Sequence, residues 1–283
     1  MAASDSYDTW IGRTEERADT ITAVPVAALA AALDREDPAP QRGTPLPPLW
    51  HWLYFLPLQR QSELGEDGHP RRGGFLPPVP LPRRMWAGGR LTFAGDLHVG
   101  DDVRRRSRIA AIASKPSRSG PLVFVTVEHL IGRDAGAAFV REEHDIVYRE
   151  LAAPGAAAPE TPAAPINEGF AREVRPDDVL LFRYSALTFN GHRIHYDRRY
   201  ATAVEGYPGL VVHGPLIATL LLDLLRRELP LARVASFSFK AVSPLFDGRP
   251  FTLCGRCDGE RRIALWARND AGGLAMQASA TTD

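Results

Sequence analysis

The feature that most constrains the fold is a long apolar segment introduced by Gly214-Pro215. Most residues from Leu216 to Leu225 are apolar, and Pro215 suits the first turn of a helix, where its missing N–H loses no hydrogen bond. A helix that is apolar nearly all round must be covered on all sides, and a curved sheet covers it by wrapping around it. The segment therefore predicts an α+β fold in which an antiparallel sheet wraps a central helix.

Runs typical of β-strands occupy both halves of the chain. Their alternating or β-branched residues are separated by turn signals such as Gly100-Asp101 and Asp134 to Gly136. In the first half the predicted strands lie within residues 89–97, 102–115, 121–132 and 137–150. In the second half they lie within residues 177–187, 233–246, 249–257, 261–270 and 273–281.

The two halves resemble each other, which indicates an internal duplication. Each half is predicted to hold one helix and a sheet, the first helix being the Ala-rich segment from Val24 to Leu33. Residues 152–170 are rich in Ala and Pro and predict a linker. We expect an N-terminal domain of residues 1–151 with a Pro-rich insertion at 37–87, and a C-terminal domain of residues 171–283. The aromatic residues of the insertion either form a lid or pocket wall, or only hold it against the surface.

Composition excludes several classes of protein. The formal net charge is zero, which argues against binding nucleic acid or an anionic membrane through bulk charge. No apolar run approaches the ~20 residues that span a bilayer, and the N-terminus has no apolar core of a secretory signal, so we expect a cytoplasmic protein. Cys254 and Cys257 lie in a strand-like run without a second ligand pair, which favours two reduced cysteines over a zinc site.

The most polar part of the second half comes shortly before the apolar helix. Between Thr188 and Asp197 stand two histidines, and His213 directly precedes Gly214. Histidine suits proton transfer near neutral pH, whereas Asn190 can orient a water but cannot accept a proton. The free N–H groups at a helix start favour a polarised carbonyl oxygen. The spacing predicts a catalytic loop laid against the helix start.

These residues resemble the signature of MaoC-like, R-specific enoyl-thioester hydratases, in which an Asp is followed five residues later by a His. Here the matching positions are Asn190 and His195, and VVHGPLIATLL resembles the helix start of that family. The motifs HWLYF, DGHPRRGGFLPP and LPRRMWAGG resemble a double-hotdog subgroup. That subgroup contains mitochondrial-type 3-hydroxyacyl-thioester dehydratases and the mesaconyl-CoA and itaconyl-CoA hydratases.

The resemblance implies a hotdog fold in each half and the addition or removal of water across the α,β double bond of an acyl thioester. It implies that His195 is the acid/base, that Asn190 holds the water, and that the Gly214 N–H stabilises the enolate-like oxygen. Because Asn190 replaces the family's Asp, His195 acts alone or another group helps. The first half lacks the motif and is expected to supply the pocket wall. The expected substrate-binding residues are Tyr184, Thr188, His192, Arg193, His213, Arg83, Arg84 and Trp86.

No metal and no cofactor are expected, because hydration of an activated double bond needs an acid/base, a water and an oxyanion site. Arginine suits bidentate binding of a carboxylate, which favours a short dicarboxylic acyl-CoA such as mesaconyl-CoA or itaconyl-CoA. A fatty 3-hydroxyacyl-thioester dehydratase, a non-catalytic thioester-binding module and a thioesterase are the alternatives. The carrier is CoA or an acyl carrier protein, and a homodimer is possible.

Overall fold

The structure is a computed structural model that describes residues 7–117, 120–133, 138–151 and 160–283. Its strands are β1 Thr14–Thr20, β2 Arg83–Phe93, β3 Asp102–Lys115, β4 Leu122–Gly132, β5 Val140–Arg149, β6 Phe170–Val174, β7 Val234–Ala241, β8 Phe251–Cys257, β9 Arg262–Asn269 and β10 Leu274–Thr282. Its α-helices are α1 Ala23–Ala32, α2 Asp178–Leu187 and α3 Gly214–Glu228. Short helical turns span Tyr7–Trp10, Trp50–Leu53, Gln61–Glu63, Arg193–His195 and Tyr200–Val204.

All ten of these strands form one antiparallel sheet whose order is mirrored about its centre. The order is β1-β3-β4-β5-β2 in the first half, followed by β7-β10-β9-β8-β6 in the second. Each strand of the first half therefore has a counterpart five strands later in the chain. The mirrored order is what an internal duplication produces, while the domain limits 1–151 and 171–283 stay a prediction.

The halves join where β2 pairs with β7. Gly88 lies opposite Lys240 and Gly89 opposite Phe239. A Cβ atom on Gly88 would lie 2.6 Å from the Phe239 carbonyl oxygen, so a side chain there would push the two strands apart. Glycine at this position lets the two half-sheets continue as one.

Helix α3 lies at the centre of the main core, as its sequence predicted. Every residue from Leu216 to Leu225 is buried, and the helix contacts β8, β9, β10 and β6. The one acid in this run, Asp223, is held by Arg35, Arg172 and Arg227 at 2.7, 3.1 and 2.7 Å. Arg35 comes from the first half, so this buried carboxylate also ties the two halves together.

The strand predicted within residues 177–187 is wrong, because this segment forms α2. The Asp177 carboxylate accepts a hydrogen bond from Leu180 N at 2.8 Å and caps the helix. Leu181, Tyr184 and Ser185 are buried on one side, which is a helical spacing. The second half thus has two helices. Because α1 follows β1 and α2 follows β6, the counterpart of α1 is α2 and not α3.

The predicted insertion ends earlier than expected, because β2 begins at Arg83. Between α1 and β2, the first half has an irregular segment where the second half has α3. Its residues Leu49, Trp50, Leu53, Tyr54 and Phe55 are buried in the main core. Of the predicted linker, residues 152–159 lie outside the described part, as does the turn at residues 134–136.

Two smaller expectations concern membrane-spanning segments and the cysteines. No helix among the described residues is long and apolar enough to cross a bilayer. Cys254 is buried, Cys257 is exposed and both are free, as expected for strand cysteines.

Candidate active site

A strained turn at the end of α2 places Asn190. The Phe189 and Asn190 N–H groups donate to the Ala186 and Ser185 carbonyls at 3.3 and 2.8 Å, which ends the helix in a Schellman motif. Phe189 occupies the position that usually holds glycine, and its φ of 49° lies in the left-handed region. Backbone strain of this kind persists where the surrounding structure fixes it and is common at functional sites.

The loop from Thr188 to Asp197, called here the histidine loop, is organised by its own polar side chains. The Asn190 Oδ1 accepts from His192 N at 3.0 Å, which leaves the Asn190 Nδ2 as the donor group of this side chain. The Thr188 hydroxyl donates to the Tyr184 carbonyl at 2.7 Å. The hydroxyl oxygen can still accept a hydrogen bond, so the predicted substrate contact of Thr188 stays a prediction.

His195 is buried and its tautomer is fixed by the backbone. Its Nδ1–H donates to the Val211 carbonyl at 2.7 Å, which leaves Nε2 as a free acceptor. Burial lowers the pKa of His195 to about 4, against the opposing effect of the Val211 hydrogen bond. At neutral pH the imidazole is therefore uncharged and able to take a proton.

The ring of His213 stacks on that of His195. The ring centroids lie 3.7 Å apart with an interplanar angle of 18°. The His213 Nε2 shares a hydrogen bond of 2.8 Å with the Ser185 hydroxyl, and the buried Tyr184 ring contacts it edge-on at 5.1 Å. The His213 Nδ1 is buried without a hydrogen-bond partner among the described residues.

Helix α3 begins directly after His213 with its first turn uncapped by a side chain. The Gly214 N–H stays free for a ligand, and the positive end of the helix favours a developing oxyanion. A Cβ atom on Gly214 would lie 3.9 Å from the Trp86 carbonyl oxygen. Trp86 of β2 thus brings the first half to the helix start, while its indole N–H is bonded to the Gly88 carbonyl at 2.8 Å.

The structure adds two residues that the sequence did not single out. Asp67 and His69 of the insertion share a hydrogen bond of 2.9 Å, and the His69 ring lies 4.0 Å from that of His192. The His192 ring in turn meets His195 edge-on at 5.3 Å. The DGH motif had been noted only as part of the resemblance, and nothing in its spacing showed that it reaches the histidine loop.

Donor atoms of Asp67, His69 and His192 lie within 4.8 Å of one another. Two imidazoles and a carboxylate can bind a transition metal. Here the Asp67–His69 hydrogen bond already occupies one possible ligand atom of each residue. The rings of His69 and His192 lie at an interplanar angle of 37°. That arrangement favours a hydrogen-bonded pair, and the absence of a metal stays a prediction.

The predicted arginines have different partners. Arg83 pairs with Glu205 at 2.9 Å, and Arg193 pairs with Asp197 at 2.7 Å. Arg84 has no carboxylate partner among the described residues. Burial lowers the pKa of His69, and the nearby charge of Arg84 lowers it further. Of the three, Arg84 is the one whose guanidinium forms no ion pair among the described residues, and it acts on the Tyr148 hydroxyl as well as on His69.

The first half contains a second histidine cluster that the sequence did not predict. The buried Glu142 accepts from Trp52 Nε1 at 2.8 Å and is bonded to His51 at 2.9 Å and to His144. His129 packs on His144 with centroids 4.4 Å apart and is bonded to the Ser107 hydroxyl at 2.8 Å. We call His51, His129, Glu142 and His144 the acid–histidine cluster.

Comparisons with known proteins show the family of the chain. Residues 49–247 match the model of the family described as hydroxyacyl-thioester dehydratase type 2. The chain is 50% identical over 279 residues to the mesaconyl-C(4)-CoA hydratase of Chloroflexus aurantiacus, covering 99% of this chain and 98% of that protein.

Solved structures confirm the predicted double-hotdog fold. A MaoC-like dehydratase is 13% identical and superposes with a TM-score of 0.72, covering 98% of this chain and 99% of the other. A Mycobacterium tuberculosis protein described as a double hotdog is 15% identical with a TM-score of 0.57, covering 96% of each chain.

Proposed function

The chain belongs to the hydroxyacyl-thioester dehydratase type 2 family of MaoC-like hydratases, and we propose that it hydrates mesaconyl-C(4)-CoA to citramalyl-CoA. It is a hydro-lyase that acts on an acyl thioester. Identity of 50% along nearly the whole chain to a mesaconyl-C(4)-CoA hydratase supports the substrate. In that thioester the double bond is conjugated to the thioester carbonyl, and the far end carries a free carboxylate.

The observation that carries the reaction type is the position of His195 beside the start of α3. Its Nδ1–H is committed to the Val211 carbonyl, so Nε2 is the proton acceptor. The uncapped N-terminus of α3 is adjacent, because His213 both stacks on His195 and precedes Gly214. A base and an oxyanion site side by side are what the addition of water to an enoyl thioester requires.

The roles of the residues follow from their free atoms. His195 Nε2 takes a proton from water as the water oxygen bonds to the β-carbon. Asn190 Nδ2 orients that water, since its Oδ1 is used by His192 N. The Gly214 N–H stabilises the negative charge on the thioester oxygen, and the proton then passes to the α-carbon.

Arg84 is the residue we propose for the free carboxylate of the substrate. It lies in β2 next to Arg83, but only Arg83 is neutralised, by Glu205 at 2.9 Å. An arginine without a carboxylate partner can form a bidentate pair with an incoming one. Arg193 is less suitable because Asp197 and the Glu66 carbonyl hold it.

The test compares two substrates on matched variants. The loss of enoyl-thioester absorbance is followed with mesaconyl-C(4)-CoA and with crotonyl-CoA, which lacks the carboxylate. Arg84→Gln is expected to raise KM at least tenfold for the dicarboxylic substrate and to leave that for crotonyl-CoA nearly unchanged. Arg83→Gln is the control and should affect both equally. Equal effects of Arg84→Gln on both substrates would contradict the assignment of Arg84.

A fatty 3-hydroxyacyl-thioester dehydratase is the second candidate, because the matching family carries that description. The large residues Leu216, Leu220 and Leu221 fill the interior along α3, which favours a short acyl group. A non-catalytic thioester-binding module would bind acyl-CoA without turnover, and a thioesterase would release thiol. CoA as the carrier and a homodimeric assembly stay predictions.

A further inference from the structure

A tight turn in the insertion carries Asp67 and His69. The Gly65 N–H donates to the His69 carbonyl at 2.7 Å and the Gly68 N–H to the Gly65 carbonyl at 3.0 Å. Gly68 has a φ of 84°, a conformation that glycine adopts without strain. The turn is therefore a defined structure within an otherwise irregular segment.

This turn is held against the histidine loop by backbone contacts. Arg193 donates from its N–H to the Asp67 carbonyl at 2.9 Å and from its guanidinium to the Glu66 carbonyl at 3.0 Å. A Cβ atom on Gly68 would lie 1.8 Å from the Gly191 carbonyl oxygen. The turn and the loop approach so closely that neither glycine can carry a side chain without moving the other.

Asp67 and His69 form a carboxylate–imidazole pair. The Asp67 carboxylate accepts from the His69 backbone N–H at 3.0 Å and from its ring Nδ1–H at 2.9 Å. Burial raises the pKa of Asp67, but the hydrogen bonds and charge of His69 outweigh it and hold that pKa below its usual range. The carboxylate is thus ionised, and the His69 Nε2 is the free end of the pair.

The histidine loop has no uncommitted carboxylate that could balance a proton. Position 190 is an amide, whose oxygen is already bonded to His192 N. The carboxylate of Asp197 is committed to Arg193 and to the Tyr200 N–H. Burial lowers the pKa of His192 to about 2 and that of His195 to about 4, so a proton on these rings needs a nearby anion.

We propose that Asp67, acting through His69, is the counter-ion for the proton that hydration transiently leaves on the histidines of the site. The inference rests on the proposed function. As the water oxygen bonds to the β-carbon, the O–H bond breaks and its proton moves to His195 Nε2, while the π electrons move onto the thioester oxygen. That proton then passes to the α-carbon and the carbonyl reforms, so His195 is restored and one water is consumed.

Asp67 and His69 are positioning residues in this scheme. The family has an Asp at the position of Asn190. In this chain the negative charge comes instead from Asp67, which lies in a different segment. The other groups that act on the pair are Arg84 of β2 and Arg72 of the insertion, which both lower the pKa of His69, and the neutral rings of His192 and Tyr200. Each of these stays in place when only Asp67 is changed.

The test is Asp67→Asn in the full-length protein, with mesaconyl-C(4)-CoA as substrate. Removing the negative charge makes a proton on the histidines less stable, so the acidic limb of the pH profile of kcat shifts to lower pH. We expect kcat at neutral pH to fall at least tenfold with the KM for the thioester nearly unchanged. Glu63→Gln changes an exposed carboxylate of the same insertion and should leave the rate and the profile unaltered.

A second variant separates charge from structure. Asn190→Asp in the Asp67→Asn background returns a carboxylate to the loop and is expected to recover most of the lost kcat. If Asp67 only holds the turn, the pH profile keeps its shape and the second substitution recovers nothing, which would overturn the proposal. Loss of activity of the wild-type protein on treatment with a chelator would also overturn it, in favour of a metal at Asp67, His69 and His192. Absence of hydration by the wild-type protein would instead contradict the proposed function.

Discussion

Both halves of the sheet bury histidines, but the hydrogen-bond partners of these histidines differ between the halves. In the first half the acid–histidine cluster surrounds Glu142, which is 1% exposed and bonded to His51, His144 and Trp52. In the second half His195 and His213 stack without a carboxylate bonded to either among the described residues. The hydrogen bonds to Glu142 hold His51 and His144 in place, whereas the Nε2 of His195 is left to accept a proton.

The halves also differ in what lies against the sheet. The second half has α3, whose start provides free N–H groups at the site. The first half has no long helix at that place, and the aromatic segment around Trp50 fills its core. Because the described residues of the first half offer no long helix start to bind an oxyanion, we expect this half to provide walls and support.

The largest difference in kcat is expected between two single substitutions, each of which replaces a buried histidine in one half by glutamine. His195→Gln removes the proposed proton acceptor and should lower kcat by about 10³-fold with little change in thermal stability. His129→Gln is the matched control, because it removes an equally buried ring bonded to Ser107. It should leave kcat within about twofold and destabilise the fold by about 1–3 kcal/mol. A loss of activity in the second variant equal to that in the first would break the comparison.

A second prediction concerns the carboxylate of the acid–histidine cluster. Glu142→Gln leaves buried partners without their anion and should destabilise the protein by about 3–5 kcal/mol in chemical denaturation. Glu143→Gln, the neighbouring residue on β5, changes a partly exposed ion pair with Arg90. Its effect should stay below about 1 kcal/mol. Similar effects of both would mean that the cluster is not a structural unit.

The stability of the protein should depend on pH through the depressed pKa of His195. Below its ordinary pKa of 6.5 the unfolded chain binds a proton that the folded site takes up only near pH 4. The unfolded state therefore binds more protons in this window, and stability falls as pH drops through it, by up to about 3 kcal/mol. Denaturation of the wild-type protein and of His195→Gln between pH 7 and pH 4 measures this, and the variant should show a flatter curve.

The smallest effect is expected at the helix start itself. Gly214→Ala keeps the backbone N–H, and its new Cβ meets the Trp86 carbonyl oxygen at an ordinary contact distance of 3.9 Å. The loss in kcat should therefore be less than tenfold. A loss as large as that of His195→Gln would show that the site needs position 214 to have no side chain, and that keeping the backbone N–H is not enough.

Much of the fold could be predicted from local sequence pattern. The apolar run after Pro215 predicted the central helix, and the alternating runs predicted eight of the ten strands in outline. The family motif suggested Asn190, His195 and Gly214 for the site, and their roles stay a prediction. Helix α2 was missed because its run of apolar residues also suits a strand, and only its cap at Asp177 distinguishes the two.

What could not be predicted depends on contacts between distant parts of the chain. Asp67 reaches His192 because Gly68 lies against Gly191, and no local period reports such a contact. The same holds for Glu142, whose partners His51 and Trp52 belong to the irregular insertion. Arg83 and Arg84 were equivalent in sequence and differ only because Glu205 lies beside one of them.

The central claim is that the second half adds water to the double bond of a thioester that stays intact. The most direct measurement is mass spectrometry of the product formed from mesaconyl-C(4)-CoA in heavy-oxygen water. The account predicts a CoA thioester that has gained one water carrying the labelled oxygen, and none of it with His195→Gln. Release of free CoA with the label in a carboxylate, or unchanged substrate with the wild-type protein, would contradict it.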